Sequence, residues 1–200
     1  SDPLFGSGAA NNIAFRTLKA AFNQALKWEL IEENPFLKSK QVRVPEKPPV
    51  HFTPQEFARF IAAVKEPELK DLFVFAALTG MRQGEILNLQ WNNVDFDQKL
   101  IRITNQDGFL TKTGRSRTIP TNNDVFELLK RLKIQACEYS NVFVRDGEKL
   151  KQSYIEHKFK QYVRLAGLND ALKFHSLRHT FATWLVQNGA SIYEIQKLLG

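Results

Sequence analysis

The 200-residue sequence contains a single cysteine, Cys137, and no apolar run long enough to cross a bilayer. One cysteine excludes an intrachain disulfide and any zinc site built from several thiolates. The longest strongly apolar run, residues 72–78, is far shorter than the roughly 20 residues of a transmembrane helix. No N-terminal segment has the pattern of a secretory signal peptide, so we expect a cytoplasmic protein without a membrane partner.

The second half of the chain has few acidic residues relative to its basic ones. The whole sequence has 28 Lys and Arg against 21 Asp and Glu, for a formal net charge of +7. Residues 51–100 hold 5 basic and 7 acidic residues, whereas residues 101–200 hold 16 and 9. A basic region of this size favours a polyanionic partner, above all nucleic acid, although many soluble proteins are mildly basic without binding one.

The N-terminal quarter is predicted to contain one helix and a linker. Residues 1–8 are typical of a cloning remnant or a disordered lead, and residues 9–33 contain apolar residues at helical spacing from Asn11 onward. Asn34-Pro35 should end this helix, because a residue before proline disfavours the helical conformation. Four prolines between residues 35 and 49 predict an extended linker, so we place the domain boundary within residues 34–52.

From Thr53 onward the pattern predicts a mostly helical domain with one small antiparallel sheet, an α+β fold. Thr53, Pro54 and Glu56 form a helix-start signal, since a capping threonine precedes a proline and a glutamate that can close a capping box. Gly189 should end the penultimate helix. The predicted elements are helices over about 53–64, 67–79, 82–89, 122–136, 152–166, 175–188 and 191–199, and strands over 91–96, 100–104 and 116–119.

Two arginines and a histidine stand in segments that suit chemistry on a phosphate. Helical spacing places His175 and Arg178 three residues apart on one face, which combines a proton-transfer group with a planar, permanently charged fork. Arg82 lies near a predicted helix start, where backbone N–H groups also favour anions. Taken alone, each arginine could equally be a surface residue or the partner of an acidic neighbour, such as Glu85 for Arg82.

A basic turn is predicted between the second and third strands. Gly114 marks the turn, so Lys112 should lie at or near the tip of a hairpin. A lysine there can enter a DNA groove and reach a leaving oxygen, although a solvated turn lysine is the commoner case. Arg115 and Arg117 are interpreted as contacts to DNA backbone phosphates or as exposed charge.

Two residues near the arginines are interpreted as supporting groups. His179 lies one turn after His175 but beside Arg178, so we expect its ring to point elsewhere and to make a structural hydrogen bond. Glu85 should steady an arginine or the lysine hairpin. Two neighbouring histidines without an acidic third ligand at a fixed spacing predict no metal site.

In this order, these segments resemble those of the tyrosine recombinases, also called phage-integrase-type enzymes. The resemblance covers the catalytic domain over residues 53–200, and residues 9–50 are similar to the tail of the family's core-binding domain. The motifs are Thr-Gly-Met-Arg-x-Gly-Glu at 79–85, Thr-Lys-Thr-Gly-x-x-Arg-x-Ile-Pro at 111–120, His-x-Leu-Arg-His-Thr-Phe-Ala-Thr at 175–183, and Gly189-Ala190-Ser191 through Leu198-Leu199-Gly200.

The resemblance implies site-specific DNA recombination through a covalent 3′-phosphotyrosine intermediate, with double-stranded DNA as partner and no metal or nucleotide cofactor. It implies that Arg82 and Arg178 hold the scissile phosphate. Lys112 would help the 5′-hydroxyl leave, and His175 would assist proton transfer. The family's nucleophilic tyrosine follows the Leu-Leu-Gly turn, so a chain that ends at Gly200 is expected to be an inactive fragment. Active members work as tetramers on paired sites, whereas we expect this fragment to be a monomer.

Other interpretations stay open. A non-catalytic relative of the family would keep the basic DNA-binding surface and lose the chemistry. A type IB topoisomerase-like nicking enzyme shares this chemistry, but the short lysine hairpin and the compact size disfavour it. A helical protein-interaction domain is disfavoured by the coincidence of the four candidate catalytic residues. Tyr193 precedes the Leu-Leu-Gly turn, outside the nucleophile's motif position, and is interpreted as a packing residue.

Overall fold

A computed structural model of the chain is mostly α-helical with a small antiparallel sheet, as the sequence predicts. The structure describes residues 8–45, 48–104, 116–136 and 139–200, and the chain divides into two compact units between Pro48 and Pro49. Within the described ranges, no helix combines the length and the apolarity that a membrane crossing demands. The helices are α1 Gly8–Lys27, α2 Pro54–Ala63, α3 Pro67–Thr79, α4 Gln83–Leu87, α5 Asn123–Gln135, α6 Gln152–Leu165, α7 Ser176–Gln187 and α8 Ile192–Leu199. The strands are β1 Val94–Asp95, β2 Leu100–Ile103, β3 Arg117–Pro120, β4 Val144–Arg145 and β5 Glu148–Lys149.

The first unit consists of α1 and the irregular chain that follows it. The helix ends at Lys27, before its predicted end at residue 33. Glu29 adopts a left-handed φ of 57°, and the N–H of Leu30 donates to the carbonyl of Ala25 at 3.0 Å. This is the geometry of a Schellman-type helix end. The predicted helix over residues 28–33 is therefore wrong, because a local turn satisfies the last carbonyls of α1 first.

The second unit begins with the predicted capping box. The Thr53 hydroxyl accepts from the N–H of Glu56 at 3.2 Å, and the Glu56 carboxylate accepts from the N–H of Thr53 at 2.8 Å. The preceding Phe52 is fully buried, and its N–H donates to the hydroxyl of Thr180 at 2.9 Å. This bond ties the start of α2 to α7, the helix that carries Arg178.

Aromatic side chains fill the core of the second unit. Phe60, Phe73 and Phe159, from α2, α3 and α6, pack with ring centroids 4.9 to 5.5 Å apart. Most of α3 is buried, and it packs against both α5 and α7. Buried aromatic clusters contribute large apolar areas and specific geometry, so α3 is fixed in the core, and α7, which carries Arg178, packs directly against it.

The three-stranded sheet has the order β1-β2-β3 and is antiparallel. Buried Ile101 lies opposite buried Ile119, and Ile103 lies opposite Arg117. The first predicted strand is partly wrong, because residues Trp91–Asn93 form a 3₁₀ turn. The side chain of Asn93 accepts from the N–H of Gln90 at 3.3 Å and closes that turn.

A short β4–β5 hairpin was not predicted from the sequence. It turns at Asp146 and Gly147, whose φ angles are 52° and 79°. Positive φ at both central residues is the requirement of a type I′ turn, and Asp-Gly is among its strongest sequence signals. The hairpin was therefore recognisable from that dipeptide.

The end of the chain follows the predicted pattern. Gly189, with φ of 85°, follows α7 as predicted, and Ser191 caps α8 through a reciprocal capping box with Glu194. Helix α8 buries Ile195, whereas Tyr193 is 84% exposed. The interpretation of Tyr193 as a packing residue is wrong, because α8 turns this position to the surface.

Candidate active site

Three arginines from distant parts of the sequence meet at the C-terminal end of α8. The last carbonyls of a helix lack intrahelical partners and carry the negative end of the helix dipole, so cationic side chains are stabilised there. Arg82 and Arg178, both predicted site residues, thus lie at one helix end. The bonds run from Arg117 Nε to the Leu198 carbonyl (2.9 Å), from Arg178 Nη2 to the Leu199 carbonyl (2.8 Å), and from Arg82 Nη2 to the Gly200 carbonyl (2.6 Å).

Glu85 is the buried carboxylate that joins two of these arginines. Its Oε1 accepts from Arg82 Nη1 at 3.1 Å and from Arg117 Nη1 at 2.8 Å. Its Oε2 accepts from Arg117 Nη2 at 2.7 Å and from the backbone N–H of Arg82 at 2.8 Å. Burial disfavours the charged form, but the hydrogen bonds from Arg117 and Arg82 outweigh it and lower the pKa of the Glu85 carboxyl. Glu85 is therefore ionised and holds the Arg82 guanidinium.

The turn at Gly80 brings Arg82 close to Arg178. Gly80 ends α3 in the left-handed conformation, with φ of 62°, and Arg82 returns to extended backbone immediately before α4. The Gly80 carbonyl accepts from Arg178 Nη1 at 2.8 Å. A Cβ on Gly80 would lie 2.3 Å from Cδ1 of Phe181 and 2.9 Å from Cδ2 of Leu199. Only glycine fits this approach, so the Thr-Gly-Met-Arg motif has a direct packing explanation.

The three arginines of the cluster carry more positive charge than Glu85 neutralises. Burial first, and then the charges of Arg82 and Arg117, lower the pKa of Arg178 to about 10, while Glu85 acts in the opposite direction. Arg178 is still charged at neutral pH. Within the described residues, Arg82 and Arg178 each use two side-chain N–H donors in hydrogen bonds, and a guanidinium has five. The remaining donors and the excess charge suit an anion.

The two histidines of the last motif lie together. His175 is exposed and directly precedes α7, and His179 is half-buried one turn later. Their rings meet edge to face with centroids 4.8 Å apart. The expectation that His179 points away from His175 is wrong, because residues four apart share a helix face. Burial, followed by the charges of Arg178 and His51, lowers the pKa of His179 and keeps it neutral at pH 7.

A cavity of about 390 Å³ opens beside His175. Lys160 and Lys173 line it, together with Gln83 from the start of α4. Lys160 also pairs with Asp170 at 3.5 Å. The cavity therefore places two lysines and one glutamate, Glu156, next to His175.

The other predicted residues fall into two groups. Lys112 and Arg115 lie outside the described residues, so their roles stay predictions. Arg117 has 9% of its side chain exposed, and all three of its guanidinium nitrogens bond within the protein. These bonds give no support to a DNA phosphate contact at Arg117. Strand alternation was an available signal, because Arg117 stands two residues before buried Ile119 and faces the same side.

Known proteins resemble this chain in sequence over part of their own length. Residues 51–200 match the model of the phage integrase family. A tyrosine recombinase XerC-like protein of Caldanaerobacter subterraneus is 28% identical over 92% of this chain and 56% of its own length. The tyrosine recombinase XerA of Pyrococcus furiosus is 29% identical over 94% of this chain and 64% of its own length. The chain therefore spans less than two thirds of these curated relatives.

Solved structures share the fold. The integrase of transposon Tn1549 in complex with circular intermediate DNA is 25% identical, with a TM-score of 0.80 over 97% of this chain and 71% of that one. A lambda integrase dimer bound to a COC′ core site is 21% identical, with a TM-score of 0.80 over 98% of this chain and 72% of that one. Because the family model covers most of the sequence and the folds agree, this chain belongs to the phage integrase family.

Proposed function

We propose that the protein containing this chain is a site-specific DNA recombinase that cleaves and rejoins phosphodiester bonds through a covalent 3′-phosphotyrosine intermediate. The convergence of Arg82 and Arg178 on one helix end carries the proposal, because it brings guanidinium N–H donors that the described residues leave unbonded close to the buried Glu85 carboxylate. Double-stranded DNA is the proposed partner. The Tn1549 and lambda integrases were both solved with DNA.

The proposed work of the two arginines is to stabilise charge on the reacting phosphate. A tyrosine hydroxyl attacking phosphorus gives a crowded, highly charged transition state with negative charge on the non-bridging oxygens. Arg82 and Arg178 can donate their remaining N–H groups to those oxygens. Glu85 and the α8 carbonyls already fix the guanidiniums, so little reorganisation is needed when the phosphate arrives.

Two protons move in the proposed cleavage step. The bond from phosphorus to the tyrosine oxygen forms while the bond to the 5′-oxygen breaks, so the tyrosine loses a proton and the leaving oxygen gains one. His175, three residues from Arg178 on the same helical segment, is proposed to assist proton transfer, since an imidazole exchanges protons at neutral pH. Lys112 is proposed to protonate the 5′-oxygen. The phosphotyrosine bond retains the energy of the broken ester, so the proposal requires neither a nucleotide cofactor nor a metal.

The assembly and the domain roles are also proposals. We propose that residues 9–33 belong to the end of a core-binding domain and residues 53–200 to the catalytic domain, joined by the linker at 34–52. The whole protein is proposed to act as a tetramer on paired sites in the cytoplasm. A lambda integrase tetramer has been solved on a Holliday junction, which supports this assembly. The chain alone is proposed to be a monomer.

The first test is DNA binding by this chain. Arg82→Ala and Arg178→Ala should each weaken binding to a short duplex at low salt. Arg131→Ala is the matched control, because Arg131 pairs with Asp71 on the surface and is 51% exposed. Equal affinities for the wild type and both site variants would remove the arginine cluster from the DNA interface.

The second test is cleavage by the longer protein that includes the residues after Gly200. With a pool of random duplexes, it should form a protein–DNA adduct that survives denaturant, and Arg178→Ala should reduce cleavage by about 10² to 10³-fold. The present chain alone should form no such adduct. Tight binding without any adduct from the longer protein would favour a non-catalytic relative instead.

A further inference from the structure

The Arg117 side chain is enclosed by the protein, and it contacts a residue that also binds Arg82. Its side chain is 9% exposed, against 22% for Arg82. It bonds to both oxygens of Glu85, at 2.8 and 2.7 Å, and to the Leu198 carbonyl at 2.9 Å. A guanidinium used in this way has few donors left for a ligand.

The bidentate pair with Arg117 fixes the plane of the Glu85 carboxylate. The terminal torsion of a glutamate is broad and roughly two-fold, so a carboxylate held at one oxygen can still turn. Two parallel N–H···O bonds remove that freedom. The same two oxygens then accept from the side chain and the backbone of Arg82, so the direction of the Arg82 side chain follows from the carboxylate plane.

Arg117 also packs against the second support of Arg82. Gly200 has a φ of 75°, and a Cβ there would lie 3.0 Å from Cδ and 3.3 Å from Nη1 of Arg117. The Gly200 carbonyl accepts from Arg82 Nη2 at 2.6 Å. Arg117 therefore bonds one side-chain acceptor of Arg82 and lies beside the residue that carries the other.

We infer that Arg117 is a positioning residue that orients the Arg82 guanidinium by holding Glu85 and by lying beside Gly200, without itself contacting the phosphate. The catalytic consequence of this role rests on the proposed function, whereas the orientation of Arg82 does not. The surface pair of Arg131 with Asp71 has the same bidentate geometry. Arg131 is 51% exposed, and its hydrogen bonds to Asp71 involve no residue of the arginine cluster, so this pair provides a matched control.

Lysine cannot replace Arg117 in this arrangement. Arg117→Lys keeps the positive charge, but one ammonium nitrogen cannot bond both Glu85 oxygens and the Leu198 carbonyl in a fixed plane. The variant therefore distinguishes two roles. If Arg117 contributes only its charge, lysine can replace it; if Arg117 fixes the plane of the Glu85 carboxylate, lysine cannot.

The direct measurement is the mobility of the Arg82 guanidinium by ¹⁵N NMR of this chain. In the wild type, two fixed acceptors should slow rotation about its terminal C–N bonds and give resolved Nη signals, which Arg82→Lys would assign. Arg117→Lys should merge or broaden these signals, and Arg131→Lys should leave them unchanged. If Arg117→Lys unfolds the chain, Glu85→Gln tests the same series of contacts, because Glu85 bonds both Arg117 and Arg82. Unchanged Arg82 signals in a folded variant of either kind would overturn the inference.

A double-mutant cycle on duplex DNA affinity separates positioning from direct contact. Arg117→Lys should weaken binding about 5- to 10-fold, a coupling within the range for residues of one network. In an Arg82→Ala background the same substitution should have no further effect. An additive loss would mean that Arg117 meets the DNA itself and would overturn the inference. If the wild type binds no DNA, the proposed function fails while the NMR measurement still decides the role of Arg117.

Discussion

Replacing Gly80 with alanine should damage both stability and the arginine cluster. Gly80 has a φ of 62°, and its added Cβ would lie 2.3 Å from Cδ1 of Phe181 and 2.9 Å from Cδ2 of Leu199. Both distances are far below van der Waals contact, so the side chains of Phe181 and Leu199, or the helices that carry them, must shift. The Gly80 carbonyl also accepts from Arg178 Nη1 at 2.8 Å, and the displacement therefore reaches the proposed phosphate site.

Two terms set the magnitude of the effect. A non-glycine residue in the left-handed region costs about 1–2 kcal/mol, and forcing an extra methyl into a packed site costs about 1–3 kcal/mol. Gly80→Ala should therefore lower the free energy of unfolding by about 2–5 kcal/mol. Gly167→Ala is a closely matched control, because Gly167 has the same φ of 62° and no heavy atom within 4 Å of the added Cβ. Its cost should be only about 1–2 kcal/mol.

Urea unfolding of both variants gives the comparison, since the midpoint and slope together yield the free energy of unfolding. Both substitutions restrict the unfolded chain to the same extent, so the difference between them reports the contact with Phe181 and Leu199. Duplex binding should weaken in Gly80→Ala and stay near wild type in Gly167→Ala. Equal losses of stability in the two variants would refute the packing argument.

Three smaller predictions follow from local contacts and charge. Thr53→Ala removes the cap of α2 and should cost about 0.5–2 kcal/mol in urea unfolding; no loss would contradict the capping box. Hydrogen bonds from Lys158 and Tyr162 lower the pKa of Glu66 from 4.5 to about 2. The stabilisation that ionised Glu66 contributes is therefore complete above pH 4.5 and is lost as the pH falls towards 2. Glu66→Gln should flatten this part of the pH–stability curve. An unchanged curve would disprove the role given to Glu66. Duplex affinity of the wild type should fall with salt, with a log–log slope of about −0.9 per phosphate contacted, and salt-independent binding would rule out phosphate contacts.

Local signals in the sequence predicted most of the helices. The predictions failed where the structure depends on distant residues or on an unusual backbone conformation. Thr53 and Glu56 lie within one turn of each other, so their capping box can be inferred without knowing the fold. The end of α1 could not be placed this way, because Leu30 continues the apolar periodicity. A left-handed φ at Glu29 ends the helix first, and glutamate gives no warning of that conformation.

The candidate site shows a similar division between local and tertiary information. The order of the motifs pointed to Arg82, His175 and Arg178, but the convergence of the two arginines depends on the carbonyls at the end of α8, which accept from both. Arg117 was interpreted as a contact to a DNA phosphate or as an exposed charge, because its sequence context does not show that the buried Glu85 of α4 bonds to it. Net charge describes how a chain attracts an anion, whereas burial decides which arginines remain available to bind it.

The energetics of the cluster favour a ligand for a reason that the contacts alone do not show. Burial and the like charges of Arg82 and Arg117 lower the pKa of Arg178, so holding these groups charged and close together costs free energy. Glu85 and the α8 carbonyls offset only part of this cost. A bound phosphate would supply the missing negative charge at the same place, and its binding would therefore stabilise the fold as well as prepare the reaction. Such a gain on binding is expected when a protein keeps arginines charged and fixed in place for an anionic substrate.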